Sequence, residues 1–166
     1  MMLHPGLMRD IVDWDVATWQ ETIFFWEQHL PRSLAGYQAL ELGAAKGGLS
    51  LYLSLKGADV ICSDVNSPEL RARQLHQRYA LKGVSYQAID ARKLPFSDAS
   101  LDVVCFKSVL GGIRKGSFQD PKPEIIAETY RVLKPGGYLL LAENLSGSAL
   151  LGCLRRKFIP WSAGWE

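Results

Sequence analysis

Long hydrophobic runs are missing from this chain of 166 residues. The longest uninterrupted apolar stretches, such as Tyr138 to Ala142, reach about five residues, whereas a bilayer-spanning helix needs about twenty, so no transmembrane helix is expected. Cysteine is scarce. With 3 in all and no Cys-x-x-Cys or His-x-x-x-His spacing, neither a disulfide framework nor a metal site is expected, and Cys62 and Cys105, inside apolar runs, read as reduced buried thiols. An excess of one charge is lacking as well: Arg155, Arg156 and Lys157 against Glu166 account for the whole net charge of +2. The neutral remainder lacks the footprint of a general nucleic-acid binder, and no nucleic-acid partner is expected. The N-terminus has no cationic start followed by an apolar block, because Asp10, Asp13 and Asp15 arrive early, and the expected location is therefore cytoplasmic. Internal repeats, low-complexity tracts and Gly/Ser linkers are also absent.

What is present is the composition of a globular domain: 48% apolar and 22% charged residues, with 15 Gly and 8 Pro spread along the chain. The length suits one domain. Within it we distinguish an N-terminal helical segment (1–36), a core (37–144) and a basic amphipathic tail (145–166).

Short apolar runs alternate with amphipathic stretches, the rhythm of an α/β fold. Thr18-Trp19-Gln20-Glu21 reads as a capping box that opens a first helix, whose apolar stripe is Trp19, Ile23, Trp26 and Leu30. These aromatics read as core, and the same segment is a candidate lid over a site. Strands are expected at 37–42, 59–63, 84–89, 101–106 and 137–143. Between them come a helix from Gly48 to Lys56 closed by Gly57, and a helix capped by Ser67 with Pro68 behind it, running to about Leu81. A last helix is opened by Pro123 and closed by Pro135-Gly136. Five strands joined by such crossings imply a mostly parallel sheet with ligands beyond its carboxyl edge, at the point where the strand order reverses.

The chemistry-bearing residues fall at those strand ends. Glu41-Leu42-Gly43-Ala44-Ala45-Lys46-Gly47-Gly48 is a small-residue turn through which backbone can approach a ligand. Tight packing explains many such turns, so the order of acids carries more weight. Asp64 ends the second strand about 20 residues beyond Gly43, where an α/β nucleotide fold places a carboxylate for the ribose hydroxyls. Asp90 ends the third strand and can accept from an exocyclic amine, or serve as a turn residue. A carboxylate at Glu41 repels a pyrophosphate, so a ligand carrying a cation suits the site better than a dinucleotide.

Taken together, these residues resemble the class I S-adenosylmethionine-dependent methyltransferases, with the type 11 small-molecule enzymes as the nearest subgroup. Glu41 to Gly47 is similar to their acid-plus-glycine motif, with Ala45 in place of the middle glycine. Asp64 matches the ribose-binding acid and Asp90-Ala91 the adenine-contacting pair. The segments 94–104 and 131–137 are similar to the approach to strand four and the turn into strand five. The resemblance implies a Rossmann-like doubly wound sheet of order 3-2-1-4-5 and S-adenosyl-L-methionine as cofactor. It implies cofactor contacts at Glu41, Gly43, Ala44, Ala45, Gly47, Asp64, Val65, Asp90, Ala91 and Lys107. The activity it implies is in-line methyl transfer to a small-molecule or lipid-linked acceptor, and the alternative is a truncated, catalytically silent nucleoside-binding or assembly module.

Lys107 and Ser108, after strand four, stand near the transferring methyl by topology and are the catalytic candidates. The histidines are not: His76 is expected mid-helix and away from the crevice, while His4 and His29 belong to the N-terminal segment. Relatives of this kind continue into an antiparallel strand pair that the chain lacks, which leaves strand five as an apolar edge. A truncated chain, the tail, or a homodimer covering that edge are the three expectations. The tail itself carries Leu150, Leu151, Leu154 and Phe158 at helical spacing beside its basic residues, followed by Trp161 and Trp165. It reads as a helix covering the sheet or as a contact with an anionic membrane surface.

Overall fold

Hydrophobic runs that are apolar at every position, rather than at alternate ones, mark strands covered on both faces. The central strands here behave in that way. A computed structural model describes residues 4–113 and 120–143. In chain order it contains α1 (Pro5–Val12), α2 (Val16–His29), β1 (Gln38–Leu42), α3 (Gly48–Leu55), β2 (Asp59–Asp64), α4 (Glu69–Arg78), β3 (Val84–Ala88), β4 (Leu101–Lys107), α5 (Lys122–Val132) and β5 (Leu133–Ala142). The tail at 145–166, with Cys153 and the basic and aromatic residues noted above, lies outside the described residues.

The strands form one sheet of order β3-β2-β1-β4-β5 with every pairing parallel, as expected. Alternate residues of β1 and β4 feed two different cores. Ala39, Val103 and Cys105 pack with Ile11, Trp19, Ile23 and Tyr52 from α1, α2 and α3, whereas Leu40, Leu42, Val104 and Phe106 pack with Val132 and Leu94 on the other face. Burial of these side chains contributes about 1.5–3 kcal/mol each and fixes the sheet between its helices. Cys62 and Cys105 are buried and free.

The N-terminal segment departs from expectation. It forms two helices, not one: α1 begins with Pro5 in its first turn, and the His4 imidazole accepts from the Leu7 N–H at 3.2 Å. The cap of α2 is Asp15, in a left-handed conformation with φ of 46°, so Thr18 sits inside the helix and its N–H bonds to the Asp15 carbonyl. The capping-box reading of Thr18 fails because the chain reverses sharply at Asp13 to Asp15 and starts the helix a turn earlier. Gly48 explains how closely α1 rests on α3: a Cβ there would stand 2.1 Å from the Ile11 carbonyl oxygen.

Two further boundaries move. Pro68, not Ser67, precedes α4, and the Ser67 hydroxyl reaches the Glu69 N–H only at 3.5 Å. α5 ends at Val132, because Leu133 already pairs with Leu101; the chain then loops through Pro135-Gly136 before Tyr138 resumes pairing opposite Val103. Among the described residues β5 has one neighbour, β4, and its Leu139 and Leu141 are partly exposed.

Candidate functional site

The turn between β1 and α3 is built from backbone bonds and two carboxylates. The Ala44 N–H donates to the Ser63 carbonyl at 2.8 Å, and the Gly47 N–H closes onto the Ala44 carbonyl at 2.7 Å. Ala45 holds a left-handed φ of 49°, and its N–H donates to Asp64 Oδ2 at 3.0 Å. The other Asp64 oxygen accepts from the Val65 N–H at 2.7 Å, so this carboxylate is held half-buried at the tip of β2 beside the turn.

Glu41 is buried, and its carboxylate accepts from the first turn of α3: Leu49 N–H at 3.2 Å, Ser50 N–H at 2.8 Å and the Ser50 hydroxyl at 2.5 Å. It caps that helix from the preceding strand. Burial pushes its carboxyl up to about 7 against the pull of these donors. Sequence reading gave Glu41 a ligand contact; the structure adds that both oxygens already serve α3.

Asp90 lies exposed beyond β3, where the Arg92 guanidinium and N–H engage both its oxygens and hold its carboxyl below the usual range. A ligand amine at Asp90 has to compete with Arg92. Ala91 is half-buried beside it.

Lys107 ends β4 with its ammonium 4.1 Å from the Trp14 ring centroid and 4.9 Å from that of Trp19. The rings meet edge-on at 5.5 Å. Burial brings Lys107 down to about 8. Ser108 follows in a left-handed conformation with φ of 56°, and its buried hydroxyl has no hydrogen-bond partner among the described residues.

One small crevice of about 70 Å³ brings together Glu41, Gly43, Ala44, Ala45 and Lys107, with Trp14 as its outer wall. Lys46, the cation of the turn, is drawn aside by Asp13 at 2.7 Å. Asp64 adjoins this crevice through Ala45. Val65, Asp90 and Ala91 lie along the neighbouring strand tips, by register outward from Asp64, which pairs with Ala88. Gly47 faces α4 instead, with its carbonyl 2.8 Å from His76 Nε2. His76 therefore abuts the turn, contrary to the expectation that it lies apart, because α4 packs directly across the start of α3.

Sequence reasoning missed three residues. Trp14 carried no helical periodicity, lying in the reversal between α1 and α2. Glu143, just past β5, accepts from three successive N–H groups after β4: Val109 at 2.6 Å, Leu110 at 2.9 Å and Gly111 at 3.1 Å. It sits 34 positions from Val109 in sequence, so no local pattern announces it. Val109 in turn covers the β1–α3 turn, where a Cβ on Gly43 would meet its Cγ2 at 2.5 Å.

Among the described residues no cluster of His, Cys, Asp and Glu could hold a metal ion, and no helix is long and apolar enough to cross a membrane. The parallel sheet, the turn at its switch point and the carboxylates at successive strand ends define a Rossmann-like α/β domain. The chain belongs to the methyltransferase domain family, whose profile matches residues 40–141. It is 33% identical over 102 residues to the ubiquinone/menaquinone biosynthesis C-methyltransferase UbiE of Desulfotalea psychrophila, covering 60% of this chain and 38% of that protein. It is also 33% identical over 113 residues to the phthiotriol/phenolphthiotriol dimycocerosates methyltransferase of Mycobacterium leprae, covering 67% and 39%. Among solved structures it is similar to a SAM-dependent methyltransferase from Methanosarcina mazei, with a TM-score of 0.62, 27% identity and 80% and 62% coverage. YcgJ from Bacillus subtilis superposes with a TM-score of 0.66 at 20% identity, covering 80% and 54%, and shows the same fold. The chain spans about two fifths of the length of the curated relatives named here.

Proposed function

We propose that this chain binds S-adenosylmethionine across the tips of β1, β2 and β3 and transfers its methyl group to a small-molecule or lipid-linked acceptor. The observation that carries the reading is Asp64, whose carboxylate is fixed at the lip of the turn by the Ala45 and Val65 N–H groups. Free lone pairs on those oxygens accept from ribose hydroxyls, at about 1.5–3 kcal/mol for each hydrogen bond to the charge. The donor set fits an adenosyl cation better than a dinucleotide. No cation of the turn is free to meet a pyrophosphate, since Lys46 is paired with Asp13, and Glu41 is a buried carboxylate at that position.

When bound, the donor supplies a methyl group on a positively charged sulfur, already activated for in-line displacement. The chain's task is then alignment, which can lower a barrier by about 7–11 kcal/mol. Gly43 and Ala44 let backbone approach the donor, Asp64 and Val65 hold its ribose side, and Asp90 with Ala91 bounds the base. Lys107 takes the acceptor's proton: with its ammonium lowered to about 8, part of the population is neutral near neutral pH, and the lone pair on Nζ receives the proton as the new bond to methyl forms. Ser108 offers its unpartnered hydroxyl to the same acceptor. A crevice of about 70 Å³ holds a few waters only, so it has to widen when the donor enters.

The apolar wall of Ile11, Trp14 and Leu49 favours an acceptor with a greasy body. The names of the relatives above support a lipid-linked one. Calorimetry with S-adenosylmethionine, S-adenosylhomocysteine and NAD tests the donor; the two adenosyl compounds are expected to bind and NAD is not. Binding of NAD alone overturns the reading. A methyl-transfer screen across prenylated quinols, long-chain alcohols and water-soluble metabolites then assigns the acceptor.

A further inference from the structure

The donor turn is pinned by Ser63 and Asp64 from β2 and by Glu41 at the start of α3, and a further hold comes from α4 through a side chain the proposed chemistry does not use. His76 is 3% exposed, with Nε2 2.8 Å from the Gly47 carbonyl oxygen and Nδ1 2.9 Å from the Tyr86 hydroxyl. A carbonyl only accepts, so Nε2 carries the proton and donates to Gly47, and Nδ1 is left to accept from the Tyr86 O–H. One neutral tautomer thus satisfies both ring nitrogens. Burial lowers the pKa of His76 below the ordinary histidine value, and the Gly47 bond opposes it.

The surroundings leave little slack. The His76 and Tyr86 rings stack at 5.7 Å with 20° between their planes, and the Arg73 guanidinium covers Tyr86 at 5.1 Å from its centroid. Gly47 has φ of 75°, and a Cβ there would stand 2.7 Å from His76 Nε2 and 2.9 Å from Ala72 Cβ. Tyr86 belongs to β3, whose end leads to Asp90; Gly47 closes the turn that follows Glu41. His76 is therefore the bridge between the two ends of the surface that an adenosyl ligand has to span.

We infer that His76 is a positioning residue for the donor: wedged between the Gly47 carbonyl and the Tyr86 hydroxyl, it sets the distance between the glycine turn and the tip of β3. The inference rests on the donor reading above. Its effect falls on donor affinity.

The chain and its His76→Gln, His76→Asn and His76→Leu variants are compared by calorimetry with S-adenosylhomocysteine. The Gln amide reaches the place of Nε2 and can donate to Gly47, whereas the Asn amide reaches only the place of Nδ1. Leu and Asn are expected to bind about tenfold more weakly, which corresponds to about 1.4 kcal/mol, and Gln to stay within about threefold of the parent. Nitrogen-15 spectra of the imidazole without ligand are expected to show the proton on Nε2. Undiminished affinity in folded His76→Leu, Gln binding as weakly as Leu, or a proton on Nδ1 overturns the inference; if the Leu variant does not fold, the Gln and Asn pair decides. Absence of binding in the parent chain overturns the donor reading instead.

Discussion

The ammonium of Lys107, at the end of β4, lies 4.1 Å from the ring centroid of Trp14, which arrives from the reversal between α1 and α2. A cation over an aromatic face is worth about 0.5–2 kcal/mol, and this one ties the N-terminal segment to the carboxyl edge of the sheet. Burial desolvates the ammonium and is the leading cause of its lowered pKa, while the nearby carboxylates Asp13, Glu41, Glu143 and Asp15 pull the other way.

Methyl transfer by the parent chain is expected to rise with pH and level off above about 8, following the neutral fraction of Lys107. Lys107→Met should lack that limb. Trp14→Ala returns water to the ammonium, an effect larger than the lost attraction of the ring because burial dominates the shift, so its pKa rises towards the usual lysine value and the limb moves to higher pH. A pH–rate profile of the three proteins checks all of this, and an unchanged limb in Lys107→Met removes the lysine from the chemistry.

Glu41 predicts a second pH dependence. Its carboxyl is raised from 4.5 to about 7 on folding, so the folded state binds its proton more tightly than the unfolded chain. The stability it contributes is present below about 4.5 and is lost as pH rises through about 7. A cationic donor favours the ionised form, so affinity for S-adenosylmethionine is expected to rise between about pH 6 and about pH 8, with proton release on binding. Glu41→Gln should flatten that rise, as read by calorimetric titration at several pH values.

Ala45 occupies a left-handed position where glycine is at ease. An L-residue there costs about 1–2 kcal/mol, while glycine loosens the unfolded chain by about 0.5–1 kcal/mol. Ala45→Gly is expected to raise stability by up to about 1 kcal/mol and to bind donor at least as tightly. Thermal denaturation with and without S-adenosylhomocysteine tests it; a destabilised variant shows that the Ala45 methyl makes a contact worth more than the strain.

Glu143→Ala releases the three N–H groups of 109–111 from their shared acceptor. The loop carrying Ser108 and Val109 then loses its fixed position relative to the donor turn. Turnover is expected to fall about tenfold or more, since small misplacements near a reacting centre are costly, while S-adenosylhomocysteine affinity changes about twofold at most. Equal losses in both would place Glu143 in donor binding instead.

The sheet was legible because burial on both faces writes uninterrupted apolar runs such as Val103 to Phe106; its strand order came from the family resemblance, since parallel crossings admit several orders for five strands. The turn and Asp64 were legible because local chemistry restricts them. Helix starts were less so: Thr18 and Ser67 look like caps, yet Asp15 and Pro68 precede the helices. Tertiary packing of α1 on Gly48 placed the reversal ahead of Thr18, and propensity had no means of registering it.

The chain alone determined which residues stand at the strand tips, since strand length and turn position follow from hydrophobic pattern and glycine. Only the folded structure decided what those residues touch: that Glu41 serves α3, that Arg92 engages Asp90, that Trp14 covers Lys107 and that His76 braces Gly47. Those pairings join segments far apart in sequence, and their energies depend on burial and on angles between groups, quantities that exist only once the helices have closed over the sheet.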